Sequence, residues 1–311
     1  MPETNATLTP AALGDVKFDR ARGFGIEIEC YAPIEATAVA EALTLAGVTC
    51  AFEGYHHTTR ANWKIVTDGS LSSAPSGMRG MEIVSPVLRG EDGVAQIKKV
   101  CAVLNTLGAK VNKSCGLHVH HDAADLDARD LKAALTIWWK HEETLKFFLA
   151  PSRRNNRYAS LFQTSGNYVW AGYQPSENLE ADATAFGQFL GRATSKSDLS
   201  RLQNERYGAL NLHALGRHGT FEFRAHGGTT DSGKIIAWVV LTQTILSRAK
   251  AKGARISNRV LGAFAQEVRF FWRAIEWVNL TDPIVILAKQ ILTERWNAFK
   301  AAERAGTGEG E

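Results

Sequence analysis

The chain has 311 residues, 45% hydrophobic and 22% charged, with 36 Lys and Arg against 32 Asp and Glu for a formal net charge of +4. This is ordinary globular composition, long enough to bury a sizeable core and too apolar for a disordered coil. The most apolar stretch, Ile235 to Leu246, is interrupted by polar residues and falls short of the ~18 a membrane span needs, and the basic residues alternate with acids, so neither a membrane nor a nucleic acid is expected as a partner.

The N-terminal residues show no basic segment followed by an apolar one, and Cys30, Cys50, Cys101 and Cys115 are widely spaced, with no CxxC. A cytoplasmic location with reduced thiols is the expectation. No repeat with a period of about 20–50 residues is present, which excludes a solenoid. Residues 1–16 and 305–311 read as flexible ends, 17–250 as one catalytic domain, and 251–304 as a helical segment packed on it.

In chain order, Phe24 to Tyr31 alternates apolar and acidic residues and reads as a strand with Glu27 and Glu29 on one face. Glu35–Ala46 reads as a helix ended by Gly47. Strands follow at Asn62–Thr67 and Met81–Ser85, with the Asp68-Gly-Ser70 turn between them. Glu91–Leu107 is a helix stopped by Gly108, and Gly116–His121 is a strand with His118 and His120 side by side. Asp127–Leu149 is a helix whose Trp138, Trp139, Phe147 and Phe148 belong in the core. Strands Tyr207–Leu212 and Thr220–Ala225 are joined in a hairpin-like connection through Gly216 and Gly219, and the second puts Glu222 and Arg224 on one face. Helices at Asp231–Lys250, Leu261–Val278 and Ile284–Ala301 complete the chain, with Trp272, Trp277 and Trp296 packing internally or against a second subunit. Strands and helix blocks without βαβ alternation make an α+β fold with a mainly antiparallel sheet and helices packed on one side.

One strand with alternating acids is an ordinary solvated face. Here the pattern recurs in Glu27/Glu29, Glu82, His118/His120 and Glu222/Arg224. Same-face neighbours stand about 7 Å apart, where two carboxylates repel by roughly 2.4 kcal/mol at an effective dielectric of 20. If these strands are neighbours, the acidic face needs cations, and an oxygen-rich set with few histidines favours Mg²⁺ or Mn²⁺.

The segments FGIEIE, WKIVTDGSL, GMEIVSPVLRG, SCGLHVHHD, RYGALNLHAL and GTFEFRAHGGT, in that order from about Gly23 to Leu246, resemble the amidoligase family of carboxylate–amine ligases related to glutamine synthetase and γ-glutamylcysteine synthetase. The resemblance implies a sheet of glutamine synthetase-like catalytic type, use of ATP with Mg²⁺ or Mn²⁺, and amide or isopeptide formation through an acyl phosphate. It places Glu27, Glu29, Glu82, His118 and Glu222 at metal, His118, His120 and Arg224 at nucleotide or transferring phosphate, and Glu222 and Arg224 in catalysis. Asp68, Ser70 and Asn211 are expected to face substrate. In Pro151–Arg157, Arg154 would hold phosphate and Arg153 and Arg157 a substrate carboxylate; the competing reading is a solvated basic loop after a helix. Partners are then a small-molecule or peptide carboxylate and an amine donor, with a homo-oligomer open. The rival functions are a metal-dependent hydrolase using the same acids and histidines, and a non-catalytic nucleotide- or peptide-binding protein.

Overall fold

The computed structural model describes residues 16–54, 58, 60–71, 73–164 and 169–306. His56 and His57 and most of both expected flexible ends lie outside the described residues. The strands are β1 (Phe24–Ala32), β2 (Cys50–Gly54), β3 (Trp63–Val66), β4 (Arg79–Val84), β5 (Gly116–Asp122), β6 (Leu210–Asn211) and β7 (Thr220–Gly227). They form one seven-stranded sheet in the order β2-β3-β4-β1-β5-β7-β6, antiparallel throughout except for the parallel β2–β3 edge pair. The α+β class with a mostly antiparallel sheet is therefore what the chain adopts.

The acidic strand β1 lies in the interior of the sheet because its other face is apolar. Ile26, Ile28 and Cys30 are buried beside Ile83 of β4 and Val119 of β5. Behind this face lie α2 (Gly90–Thr106), α3 (Ala128–Leu145) and α8 (Ser232–Lys252). Helix α8 is apolar on nearly all sides because it packs against β5, α2, α3 and the last helix, α10 (Pro283–Arg304). No described helix is long and apolar enough to cross a membrane. Trp138, Trp139, Phe147, Phe148, Trp272, Trp277 and Trp296 all belong to the one continuous core, so the C-terminal helices share the core of the sheet domain.

Several expectations are corrected. Strand β2 and helices α5 (Leu179–Gly191) and α6 (Lys196–Ser200) had no assignment, and the exposed residues of β2 explain why: an edge strand leaves no alternation to read. The expected strand Tyr207–Leu212 shortens to Leu210–Asn211, and the connection after it folds as helix α7 (His213–His218), ended by Gly219 at φ 68°, rather than as a hairpin loop. The expected helix Leu261–Val278 shrinks to α9 (Val268–Ala274); beyond it Glu276 has φ 64°, a left-handed backbone that no helix continues through, while Trp277 turns into the core.

The β5–β7 register carries a β-bulge. Val119 pairs with Phe223 but Leu117 pairs with His226, so Arg224 and Ala225 together oppose His118. Simple alternation would put His226 beside Glu222 and Arg224. The extra residue turns it instead into the core, 5.2 Å from the Trp238 ring. His121 also faces the core, where its Nε2–H donates to Thr242 Oγ1 at 2.8 Å, since that hydroxyl gives its own proton to Trp238 O. Burial, with the Arg22 charge, pushes the His121 pKa down to about 3, and burial near Lys140 takes His141 to about 4.

These histidines are neutral when folded and protonate near pH ~6.5 when unfolded, so their stabilisation is present above that pH and is lost as pH falls toward the folded values. Between about pH 6.5 and 4.5 each should forfeit roughly 2 kcal/mol of stability. Urea melts of parent and His121→Gln should show a visibly shallower acid loss in the variant; parallel slopes would contradict this account of His121.

Candidate active site on the acidic sheet face

On the other face, the register assembles the ionisable residues. Glu27 lies opposite His118, Glu29 opposite Glu82, His120 opposite Glu222, and Glu222 opposite Asn211. His118 Nδ1–H donates to Glu27 Oε2 at 2.8 Å, while its Nε2 lies 3.6 Å from Glu29 Oε1. Glu29 Oε2 accepts the Gly116 backbone N–H at 2.5 Å. Gly116 suits this close approach, since a Cβ would sit 3.0 Å from His118 Nε2 and 3.3 Å from Glu29 Oε2 and would press on both side chains. Glu222 accepts from Arg224 and from Asn211 Nδ2, both at 2.6 Å, which uses one oxygen for each.

Three groups of side chains have donor atoms within 4.8 Å of one another: Glu27, Glu82 and His118; Glu27, His120 and Glu222; and Glu29, Asp68 and Glu82. Glu27 and Glu82 each belong to two groups, so the three share corners. Two observations fit these groups to divalent cations. The Nε2 of His120 is buried without a hydrogen-bond partner among the described residues and lies 3.4 Å from Glu27 Oε1 and 3.7 Å from Glu222 Oε1. Its Nδ1 is hydrogen-bonded to Thr220 Oγ1 at 2.9 Å, a contact that orients the ring with Nε2 toward Glu27 and Glu222. Second, burial together with the charges of Glu27, Glu29 and Asp68 pushes the Glu82 carboxyl well above the usual range, so this face carries more anionic groups than it can keep ionised without cations. Donors dominated by carboxylate suit Mg²⁺ or Mn²⁺.

The positive charges are distributed around this cluster. Burial raises the Glu27 carboxyl, but the hydrogen bond from His118 and the charges of His118 and His120 outweigh it and hold Glu27 well below the usual range. Burial likewise raises Glu222 and is outweighed by Arg224 and His120. Burial lowers His120, and Glu222 and Glu27 more than reverse it. Arg153, from helix α4 (Pro151–Arg154), is 3% exposed and donates to the main-chain oxygens of Arg224 and Ala225; burial pushes it down to about 10.

Three cavities meet over the cluster. The central one, about 980 Å³, lies between the sheet residues and a wall containing Asp68, Ser70, Tyr158, Arg206 and Tyr207. A second, about 460 Å³, holds Glu29, Lys113, Arg153, Arg206 and Arg224. A third, about 310 Å³, lies toward the start of β1 and mixes Lys64 and His120 with Val66, Val84, Pro86 and Val87. The wall is tied down from a distance. Buried Glu142 accepts the N–H groups of Phe162 and Gln163, and backbone bonds from Ser160 to Tyr207 and from Ala209 to Ser160 set Tyr158 beside Tyr207.

The structure thus brings together Glu27, Glu29, Glu82, His118, His120, Glu222 and Arg224, and lines the adjoining cavities with Asp68, Ser70, Asn211 and Arg153. Arg154 is not among them: its guanidinium lies 4.9 Å from the Phe147 ring centre and 5.4 Å from that of Phe299, with Nε donating to Lys146 O, because the turn of α4 points it toward α10 rather than the sheet. Arg157 stands behind the wall, stacked on Tyr158. Sequence reasoning missed Lys64, Lys113, Tyr158, Arg206, Tyr207 and Thr220. Alternation in β3 does put Lys64 on the polar face, a signal that was legible; no local pattern marks Arg206 or Tyr158.

No curated protein matches the chain. A family model described as "Putative amidoligase enzyme" matches residues 20–246, the span that contains every strand among the described residues and the whole acidic cluster. With the greater part of its length covered by that match, the chain belongs to the amidoligase family.

Proposed function

We propose that the protein is an ATP- and Mg²⁺- or Mn²⁺-dependent carboxylate–amine ligase acting through an acyl phosphate. The observation that carries this reading is the set of three acid and imidazole groups sharing Glu27 and Glu82, with Arg224 and Arg153 beside them. Joining a carboxylate to an amine in water is uphill, and activation must bring a carboxylate against the γ-phosphate of ATP, two anions that repel. Divalent cations held by Glu27, Glu29, Glu82, His118, His120 and Glu222 would neutralise that charge and align the reacting groups.

The chain's own residues supply the rest. A carboxylate oxygen of the acid attacks the γ-phosphorus and ADP leaves. Arg224, fixed by Glu222, would stabilise the transferring phosphoryl oxygens. The amine nitrogen then attacks the acyl carbon, phosphate departs with the bonding pair, and the nitrogen gives up a proton to yield the amide. Arg153 anchors the acid from the 460 Å³ cavity. The cavity walled by Val66, Val84, Pro86 and Val87 would take the nucleoside end of ATP. No nucleophilic side chain is needed; burial pushes the Cys30 thiol up to about 12 and raises that of Cys115.

Phosphate release measured with ATP, Mg²⁺ and a panel of acids and amines should require all components. Glu27→Ala, which opens two of the three groups, should lower it about 10²–10³-fold with the cooperative melt retained. Full activity in that variant counts against the assignment, and turnover of an amide or ester without nucleotide would favour a hydrolase.

Thr220→Val should weaken Mn²⁺ binding, followed by calorimetry without nucleotide, by about tenfold or more, and Thr220→Ser should restore it. Unchanged affinity in the valine variant would remove His120 from the metal set.

A further inference from the structure

The cavities over the cluster are lined by several cations that form no ion pair among the described residues. Arg153 is buried, it donates to the main-chain oxygens of Arg224 and Ala225, and no carboxylate among the described residues comes within ion-pair distance, Glu29 acting on it only through its charge. Such a guanidinium is costly to hold unless an anion completes it. Lys113 shares its cavity, and Arg206 and Arg217 stand exposed on the wall of the central one; all three lack an ion-pair partner among the described residues. The nearby acids, Glu29 and Asp68, belong to the metal groups, and Arg224 is already paired with Glu222. The outer wall is stiffened by stacking. The Arg157 guanidinium lies 4.6 Å from the Tyr158 ring centre, the Tyr158 and Tyr207 rings meet edge to face at 5.4 Å, and Arg206 lies 5.6 Å from the Tyr207 ring centre. Arg157 spends a donor on the Tyr158 hydroxyl and so braces the wall, while Arg206, stacked on Tyr207, is positioned at small entropic cost.

We infer that the acid substrate is an acidic peptide, whose reacting carboxylate meets the metals while further carboxylates occupy a cationic track running from Arg153 at the cavity floor to Arg206 and Arg217 at its rim. This rests on the ligase reading for the group that reacts and adds what that group is attached to. One carboxylate would satisfy Arg153 alone, whereas cations continuing outward to exposed positions call for anions spaced along a chain. A nucleic acid would supply phosphates but no carboxylate for the metals, and the two tyrosine rings meet edge to face and carry guanidinia on their faces rather than being presented to bases.

The test is fluorescence anisotropy of a fluorescein-labelled oligoglutamate peptide with the full chain, Mg²⁺ and a non-hydrolysable ATP analogue. Binding should saturate and weaken with salt. Arg206→Ala combined with Arg217→Ala should raise Kd about tenfold, equivalent to ~1.4 kcal/mol, whereas Lys98→Ala with Lys99→Ala on α2, the same change in net charge, should leave it as it was. Free glutamate should displace the peptide only in large excess. No binding, an unaltered Kd in the rim variant, equal competition by free glutamate, or displacement by an RNA oligomer at lower concentration than by unlabelled peptide would each overturn the track. Phosphate release read in parallel separates the two claims. Turnover with free glutamate but no peptide binding removes the peptide and keeps the ligase; rim-dependent binding with no turnover of any acid removes the ligase and shows only a peptide-binding face.

Discussion

Crowding carboxylates onto one face of a sheet is the constraint that organises this molecule. Glu27, Glu29, Glu82 and Glu222 come from three strands and lie within reach of shared ligand positions, where their mutual repulsion would push a compliant scaffold apart. The resistance comes from the opposite face. Ile26, Ile28, Ile83, Val119 and Phe223 are fully or almost fully buried against a layer of helices, so no strand can move away without exposing core. The helix that is apolar nearly all round, α8, is the price of that rigidity: it must satisfy the sheet on one side and three helices on the others.

The same logic explains the polar atoms that the fold leaves open. Buried groups away from the acidic face are mostly answered locally: Glu142 by Trp138 and two backbone N–H groups, Asp182 by Tyr173, Ser176 and Arg259. On the acidic face, His120 Nε2 and the Arg153 guanidinium are held at low exposure with their best partners missing. Other buried atoms also lack a hydrogen-bond partner among the described residues, His141 Nδ1 and Trp238 Nε1 among them, so what sets this face apart is that such a group stands among clustered carboxylates. Charge held in place by a packed scaffold is worth most where water is excluded.

Much of the site could be read before any coordinates. Period-two alternation put Glu27 with Glu29, His118 with His120 and Glu222 with Arg224, because side chains on a strand must alternate whatever the neighbours are. The ends of the long helices were legible at Gly47 and Gly108, which adopt the left-handed backbone that stops a helix. Where the reading failed, local pattern was weak or misleading. The edge strand β2 buries too little to alternate. The segment from Pro151 to Arg206 contributes cavity wall rather than sheet, and its residues are held by distant partners such as Glu142 and Tyr207. Arg153 and Arg154 are adjacent, yet one reaches the site and the other lies between the rings of Phe147 and Phe299, a difference set by the turn of a single short helix.

The sequence by itself determined which residues share a strand face, the α+β class, and the chemical character of that face as acidic with interspersed imidazole, since composition and periodicity act within a single segment. Only the tertiary structure decided strand order, the bulge that sends His226 inward while keeping Arg224 beside His118, and which cations reach the cavity. Those depend on hydrogen-bond register and packing between segments up to some two hundred residues apart, which no local pattern encodes.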